Sequence, residues 1–61
     1  MNKESDPMRW KINIISNGNT LTYNQCQLIP EADPMFIMFL DKFGITMRYN
    51  KNNVVSMELL K

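Results

Sequence analysis

The pattern of apolar and polar residues predicts a β-hairpin near the start of the chain. Trp10, Ile12 and Ile14 alternate with polar residues, which is the period of a strand with one buried face. Asn17-Gly18 follows, and this pair suits a two-residue hairpin turn because both residues accept positive φ. We therefore predict two paired antiparallel strands, one on each side of the turn.

The second strand changes its apolar parity partway along its length. Leu21 and Tyr23 share one parity, whereas Cys26 and Leu28 have the other. One extra residue near positions 24–25 would place all four side chains on the same face of the sheet, which is what a β-bulge does. The sequence therefore predicts a bulged second strand whose bend lets a small sheet curl over on itself.

The middle of the chain fits two different elements. Two prolines within residues 30–34 predict a loop, because proline does not fit a central strand. The apolar run over residues 35–40 fits a strand, and it also fits a helix over residues 34–43 with Asp33 as its N-cap. The content of phenylalanine, isoleucine and methionine favours the strand.

The last part of the chain predicts two more strands. Apolar and polar residues alternate over residues 45–49 and again over residues 55–59. The lysine and asparagines of residues 50–53 predict the turn between them. We predict a polar, flexible tail over residues 1–8 and one small, mainly antiparallel all-β domain over residues 9–60.

Length and composition limit how this domain can be stabilised. A chain of 61 residues forms one domain, and at that size roughly 60% of the unfolded surface becomes buried, so stability is marginal. A single cysteine, Cys26, and the absence of histidine argue against an internal disulfide and a structural zinc site. We expect no cofactor and no metal, and self-association or a protein partner as the remaining source of stability; the alternative is a well-packed monomer.

Charge and hydropathy limit the partners and the location. Seven basic residues against six acidic ones give a net charge of +1, which is too small to steer a polyanion. The longest apolar run is too short to span a bilayer, so we expect a soluble, cytoplasmic protein with no membrane partner. The richness in asparagine and methionine suggests a low-GC bacterial genome or a phage or prophage, which would place the protein in the host cytoplasm.

The sequence predicts a protein that is not an enzyme. No histidine is present to activate a nucleophile. Glu31 and Asp33 could form a carboxylate pair that Asp41 approaches, but acids in a proline-rich loop are typical of turn chemistry. We therefore expect neither catalytic residues nor a small-molecule substrate.

Surplus apolar residues favour protein association. A sheet this small cannot bury every apolar side chain, and the remainder would form a contact surface. The predicted contact residues are Ile15, Met35, Ile37 and Phe39. Strand addition along the edge of the last strand is a second mode. We expect a small interaction module that self-associates or docks on a larger protein as a regulator or inhibitor.

The alternative function is binding of single-stranded RNA or DNA. Basic residues stand beside aromatic ones in two places, and small β-barrels hold single strands with such pairs. The candidate residues are Arg9, Trp10, Lys11, Arg48, Tyr49 and Lys51. The competing interpretation is that both aromatic rings belong to the core.

With the middle segment as a strand, the chain resembles the SH3-like and Sm-like small barrels. In the Sm pattern, alternating apolar residues lead to a glycine turn, as Ile12 and Ile14 lead to Gly18 here. An acid then precedes an apolar third strand, as Asp33 does, and a last strand of alternating aliphatic residues forms an edge. The resemblance implies a five-strand SH3/Sm-like roll; the alternative is a ββαββ arrangement (α+β) with a helix over 34–43.

The same resemblance implies ring assembly and RNA contacts through two loops. The matching segments are residues 33–36 and 49–53. The chain departs from the family pattern because Phe36 stands where an asparagine contacts bases, and because the second strand lacks its glycine. The polar tail also predicts no N-terminal helix. These departures affect RNA binding more than the architecture.

Overall fold

A computed structural model describes residues 8–60, which form five antiparallel strands in one sheet. The strands are β1 (Arg9–Ser16), β2 (Asn19–Ile29), β3 (Phe36–Leu40), β4 (Thr46–Asn50) and β5 (Val54–Leu60). A 3₁₀ helix, Lys51–Asn53, joins β4 to β5. The strands lie in the order β4-β3-β2-β1-β5. The predicted all-β roll is confirmed.

The alternative helix over residues 34–43 is wrong, because Phe36–Leu40 is a strand hydrogen-bonded on both sides, to β2 and to β4. Pairing on both sides places its apolar residues in the middle of this half of the sheet. The predicted tail lies outside the described residues except for Met8, which is exposed. Within residues 8–60, no helix has the length and apolar character needed to cross a membrane.

The hairpin turn has the predicted geometry. Asn17 and Gly18 have φ angles of 52° and 78°, so both occupy the left-handed region. Ser16 and Asn19 pair directly across the turn. Two positive φ values match the right-handed twist of the flanking strands, which explains why this dipeptide joins them so tightly.

The predicted bulge bends β2 near its middle. Trp10 pairs with Cys26, but Ile12 pairs with Tyr23, so two residues of β2 oppose one of β1. Gln25, one of those two, has a φ of 57°. Residues 19–26, on both sides of the bulge, pair with β1, and residues 27–29 pair with β3. The bend therefore folds one half of the sheet over the other.

The core lies between these two halves. Among the described residues, Ile12, Ile14, Cys26 and Phe39 are fully buried. The Phe39 ring lies with its centroid 5.4 Å from that of Tyr23 and 6.2 Å from that of Tyr49. Such aromatic packing brings β2, β3 and β4 together and buries more apolar area per residue than aliphatic side chains could.

The turn between β3 and β4 differs from the prediction at Ile45. The carboxylate of Asp41 accepts hydrogen bonds of 2.9 Å from the backbone N–H groups of Phe43 and Ile45. The Ile45 carbonyl accepts a third bond of 2.9 Å from the Asp41 N–H. These bonds hold Ile45 in the turn, so β4 begins at Thr46 and the Ile45 side chain is exposed instead of facing the core.

Replacing Phe39 by alanine should unfold a large fraction of the protein. Loss of a fully buried phenylalanine costs about 3–5 kcal/mol, which is most of the stability expected of so small a domain. Phe43→Ala is the matched control, because Phe43 is 76% exposed. Urea denaturation followed by circular dichroism measures both variants. Equal unfolding midpoints for the two variants would contradict the placement of Phe39 in the core.

Candidate interaction surface

The four predicted contact residues separate into two groups. Ile15 and Met35 are exposed. Ile37 is partly buried against the core, and Phe39 is fully buried. The difference follows from register, because Ile37 and Phe39 oppose the inward residues of β4, and opposed residues of an antiparallel pair share a face. Phe39 is therefore not accessible to a partner in this fold.

Ile15 and Met35 both lie beside the 3₁₀ helix. The Met35 carbonyl accepts a 2.9 Å hydrogen bond from the backbone N–H of Lys51. The helix also contacts β1, where Ile14 pairs with Val54, the residue that follows the helix. The two exposed side chains therefore belong to one end of the roll, although they are far apart in the sequence.

An ion pair that sequence reasoning missed organises the loop before β3. The Nε of Arg48 donates to the Glu31 carboxylate at 2.6 Å, and its guanidinium carbon lies 3.9 Å from the centroid of the Phe36 ring. The hydrogen bond from Arg48 is the main reason that the pKa of Glu31 is lowered. The other oxygen of Glu31 accepts a 3.1 Å bond from the Asp33 N–H. Arg48 is thus engaged within the protein.

The basic residues proposed for nucleic acid do not form one surface. Arg9 and Lys11 alternate with the inward residues of β1, whereas Arg48 lies on β4, at the far side of the sheet. Both aromatic rings, Trp10 and Tyr49, pack against the core. Lys51 is exposed on the 3₁₀ helix. Both rings are partly buried, so only part of each ring is available for stacking on a base.

The acidic residues and the cysteine have structural roles. The Asp33 carboxylate accepts a 2.9 Å hydrogen bond from the Met35 N–H, and Asp41 closes the β3–β4 turn. Within residues 8–60, no group of three or more potential metal ligands occurs. Cys26 is buried, and burial raises the pKa of its thiol, so the neutral, unreactive form is favoured.

Strand β5 forms one edge of the sheet. In the part of the chain that the structure describes, it pairs only with β1. Its inward residues Met57 and Leu59 oppose Ile12 and Trp10, and Leu59 remains 41% exposed. Val55 is the extra residue of a bulge and is 55% exposed. The edge therefore presents apolar side chains beside unpaired backbone groups.

An apolar groove opens next to this edge. Its volume is about 330 Å³, and the side chains of Leu28, Ile37 and Met57 contribute to its wall. Glu31 and Lys51 lie on the same wall and provide one charge of each sign. The groove exists because the sheet curls without hydrogen-bonding β5 to β3 or β4. Met57 is the residue of β5 that lines this groove.

Tyr23 on β2 and Tyr49 on β4 share a hydrogen bond. The hydroxyl oxygens of Tyr23 and Tyr49 lie 2.6 Å apart in a partly buried site. This hydrogen bond, followed by burial, raises the pKa of Tyr23 to about 12. Folding therefore stabilises the protonated form of Tyr23.

The free energy of unfolding should fall at high pH because of this pair. The folded protein keeps the Tyr23 proton to about pH 12, whereas the unfolded phenol releases it near its ordinary pKa of 10.0. This contribution is complete below pH 10 and is lost as the pH rises towards 12. Denaturation at a series of pH values measures it, and Tyr23→Phe should flatten the profile.

Tyr49→Phe provides the control, because Tyr23 is then the only tyrosine left in the chain. Absorbance of the tyrosinate ion should show that the pKa of Tyr23 moves back towards its ordinary value. An unchanged titration curve would contradict the role given to the hydrogen bond.

A labelled single-stranded oligonucleotide tests the alternative function directly. Because both rings are engaged in the core, we expect no change in its fluorescence anisotropy at low salt. Saturable binding that Arg48→Ala weakens, with a smaller dependence on salt concentration, would instead support nucleic-acid recognition.

Comparison with known proteins adds no function to this geometry. A scan against protein-family models, a search of curated proteins and a search of solved structures each give no match to the chain. The functional argument therefore depends on the contacts within the molecule.

Proposed function

We propose that this protein is a non-enzymatic interaction module that binds a protein strand along the edge of β5. The observation that carries the proposal is the edge of β5 that no other strand of residues 8–60 covers, beside an open apolar groove. Ile15 and Met35, exposed at the end of the roll next to the 3₁₀ helix, extend the apolar surface.

Strand addition suits the chemistry of this edge. Main-chain hydrogen bonds supply affinity in this mode, and pockets for alternate side chains supply specificity. Val54–Leu60 offers one row of backbone donors and acceptors, and the groove offers the apolar pocket. Glu58 is the only charged residue of the strand, so little charge must be desolvated on binding.

A module of this kind acts by covering another protein's strand or surface. A 61-residue chain that binds in this way would regulate or inhibit a larger protein, or would assemble with copies of itself. The asparagine-rich and methionine-rich composition supports a phage or prophage origin, with the host cytoplasm as the site of action.

Val55→Lys should strongly weaken association while the fold is retained. Lysine on an edge strand opposes the approach of a further strand, and we expect affinity to fall by roughly tenfold or more. Ile45→Lys is the matched control, because Ile45 is 56% exposed against 55% for Val55 and lies in the β3–β4 turn.

Two measurements on the wild-type protein and the two variants detect association. Light scattering over a dilution series detects self-association, and affinity capture followed by mass spectrometry detects a foreign partner. Association that is lost in Val55→Lys but kept in Ile45→Lys would support the proposal. A protein that is monomeric at every concentration and that captures no partner sensitive to Val55→Lys would contradict it.

A further inference from the structure

Strand β5 has few of the features that usually protect the edge of a sheet. Natural edge strands carry lysine, proline, bulges or inward charges that prevent pairing with another chain. Val54–Leu60 contains no proline and no basic residue. Its bulge lies at the first two positions, and the segment from Ser56 to Leu60 pairs with β1 without interruption. This segment is therefore regular enough to accept a second strand on its free side.

We propose that the strand added to β5 is β5 of a second copy, antiparallel and related by a two-fold axis through Met57. This inference rests on the proposed function and names the partner of that same edge. The two sheets would join into one continuous sheet across the axis, in an isologous contact.

The register follows from the side chains along the strand. With the axis at Met57, Val55 of one copy lies opposite Leu59 of the other, so the two most exposed apolar residues of β5 cover each other. Ser56 then lies opposite Glu58, and no two like charges face each other. Directly opposed residues in antiparallel strands are close enough to interact, so these pairs contribute to the contact.

The neighbouring registers are less favourable. An axis at Glu58 would place two carboxylates directly opposite each other, which is destabilising. An axis at Ser56 would place Leu59 opposite Asn53 and leave an apolar side chain against a polar one. An axis between two residues would pair an inward residue with an outward one, which the alternation of side chains along a strand does not allow.

The size of the core explains why a second copy would be favourable. Among the described residues, four are fully buried, and Leu59 is 41% exposed although it opposes Trp10 on the inward face. A second β5 would extend the inward face past this residue and place the two grooves side by side. Small domains commonly gain stability from oligomerisation in this way.

Disulfide trapping tests the register directly. Ser56→Cys and Glu58→Cys chains are prepared separately, mixed and oxidised mildly. Opposed residues have Cα atoms about 4.5–5.5 Å apart, within disulfide range. Cysteines at matching positions would lie diagonally, about 7–8 Å apart, which is too far for unstrained bonding. We expect the mixed disulfide to exceed either homodisulfide severalfold.

The unmodified chain is the control, because its single cysteine, Cys26, is buried and should form no cross-link. An excess of either homodisulfide over the mixed one would overturn the register, and the absence of all cross-links at concentrations where light scattering shows a dimer would overturn the β5 contact.

A pair of charge variants at one position gives an independent readout. Ser56→Lys would place lysine opposite Glu58 twice in each dimer, whereas Ser56→Glu would place two acids opposite each other. Both variants lose the same 2.8 Å hydrogen bond from Asn13 to the Ser56 hydroxyl, and the interactions of the new charge with Lys11 and Glu58 of its own chain are present in monomer and dimer alike. We expect their dimer dissociation constants to differ by roughly tenfold or more, with Ser56→Lys the tighter.

Failure of this inference can be distinguished from failure of the proposed function. A wild-type monomer that binds a foreign protein through β5, with binding lost in Val55→Lys, would overturn the second-copy proposal and leave the interaction function intact. A monomer without any such partner would overturn both. A dimer that Ser56→Glu and Ser56→Lys affect equally would show that the contact lies elsewhere.

Discussion

The left-handed backbone at Gln25 is the constraint on which the rest of the structure depends. It bends β2 so that the first part of the strand pairs with β1 and the last part pairs with β3. Tyr23 lies before the bend, and the Phe39 ring packs against the Tyr23 ring from the other half of the sheet. A straight β2 would separate these rings and leave Phe39 without cover. The core is therefore a consequence of one bulge.

The same bend explains where the surplus apolar surface lies. A five-stranded sheet that curls without closing leaves two strands with a free edge, and within residues 8–60 these are β4 and β5. On β4, Arg48 is tied to Glu31 and stacked on Phe36, so this strand carries a fixed charge. The longer strand β5 carries mostly aliphatic residues. The two edges are thus chemically different, and only β5 suits apolar strand pairing.

Local patterns were sufficient to predict the strands, because each depends on neighbouring residues. The Asn17-Gly18 turn, the bulge and the loop between the prolines all follow from backbone preferences that act within a few positions. The middle segment was harder, since a continuous apolar run has no period of its own. The alternation over residues 45–49 predicted that Ile45 belongs to a strand. In the structure the Asp41 carboxylate accepts a hydrogen bond from the Ile45 N–H and holds this residue in the turn.

The candidate site could be predicted only in part, for a different reason. Exposure of an apolar residue depends on the register of strands that are distant in sequence, so Phe39 could not be distinguished from Met35 by composition. The Glu31–Arg48 pair joins residues that are 17 positions apart and depends on the path of the intervening loop and strand. The alternating aliphatic residues of β5 were visible in the sequence. Its position at an edge was also expected, whereas its pairing with β1 and the groove beside Met57 were not.

Pairing of the first strand with the last also affects how the chain folds. Arg9 opposes Leu60, and Ile12 opposes Met57, so β1 gains its second neighbour only when almost the whole described chain is in place. Contacts between such distant residues slow folding, because the loop between them must be closed before the contacts form. During synthesis, the β1–β2 hairpin can form early, but its free side stays uncovered until Val54–Leu60 has left the ribosome. Until then, the exposed edge belongs to β1, and a neighbouring chain could occupy it.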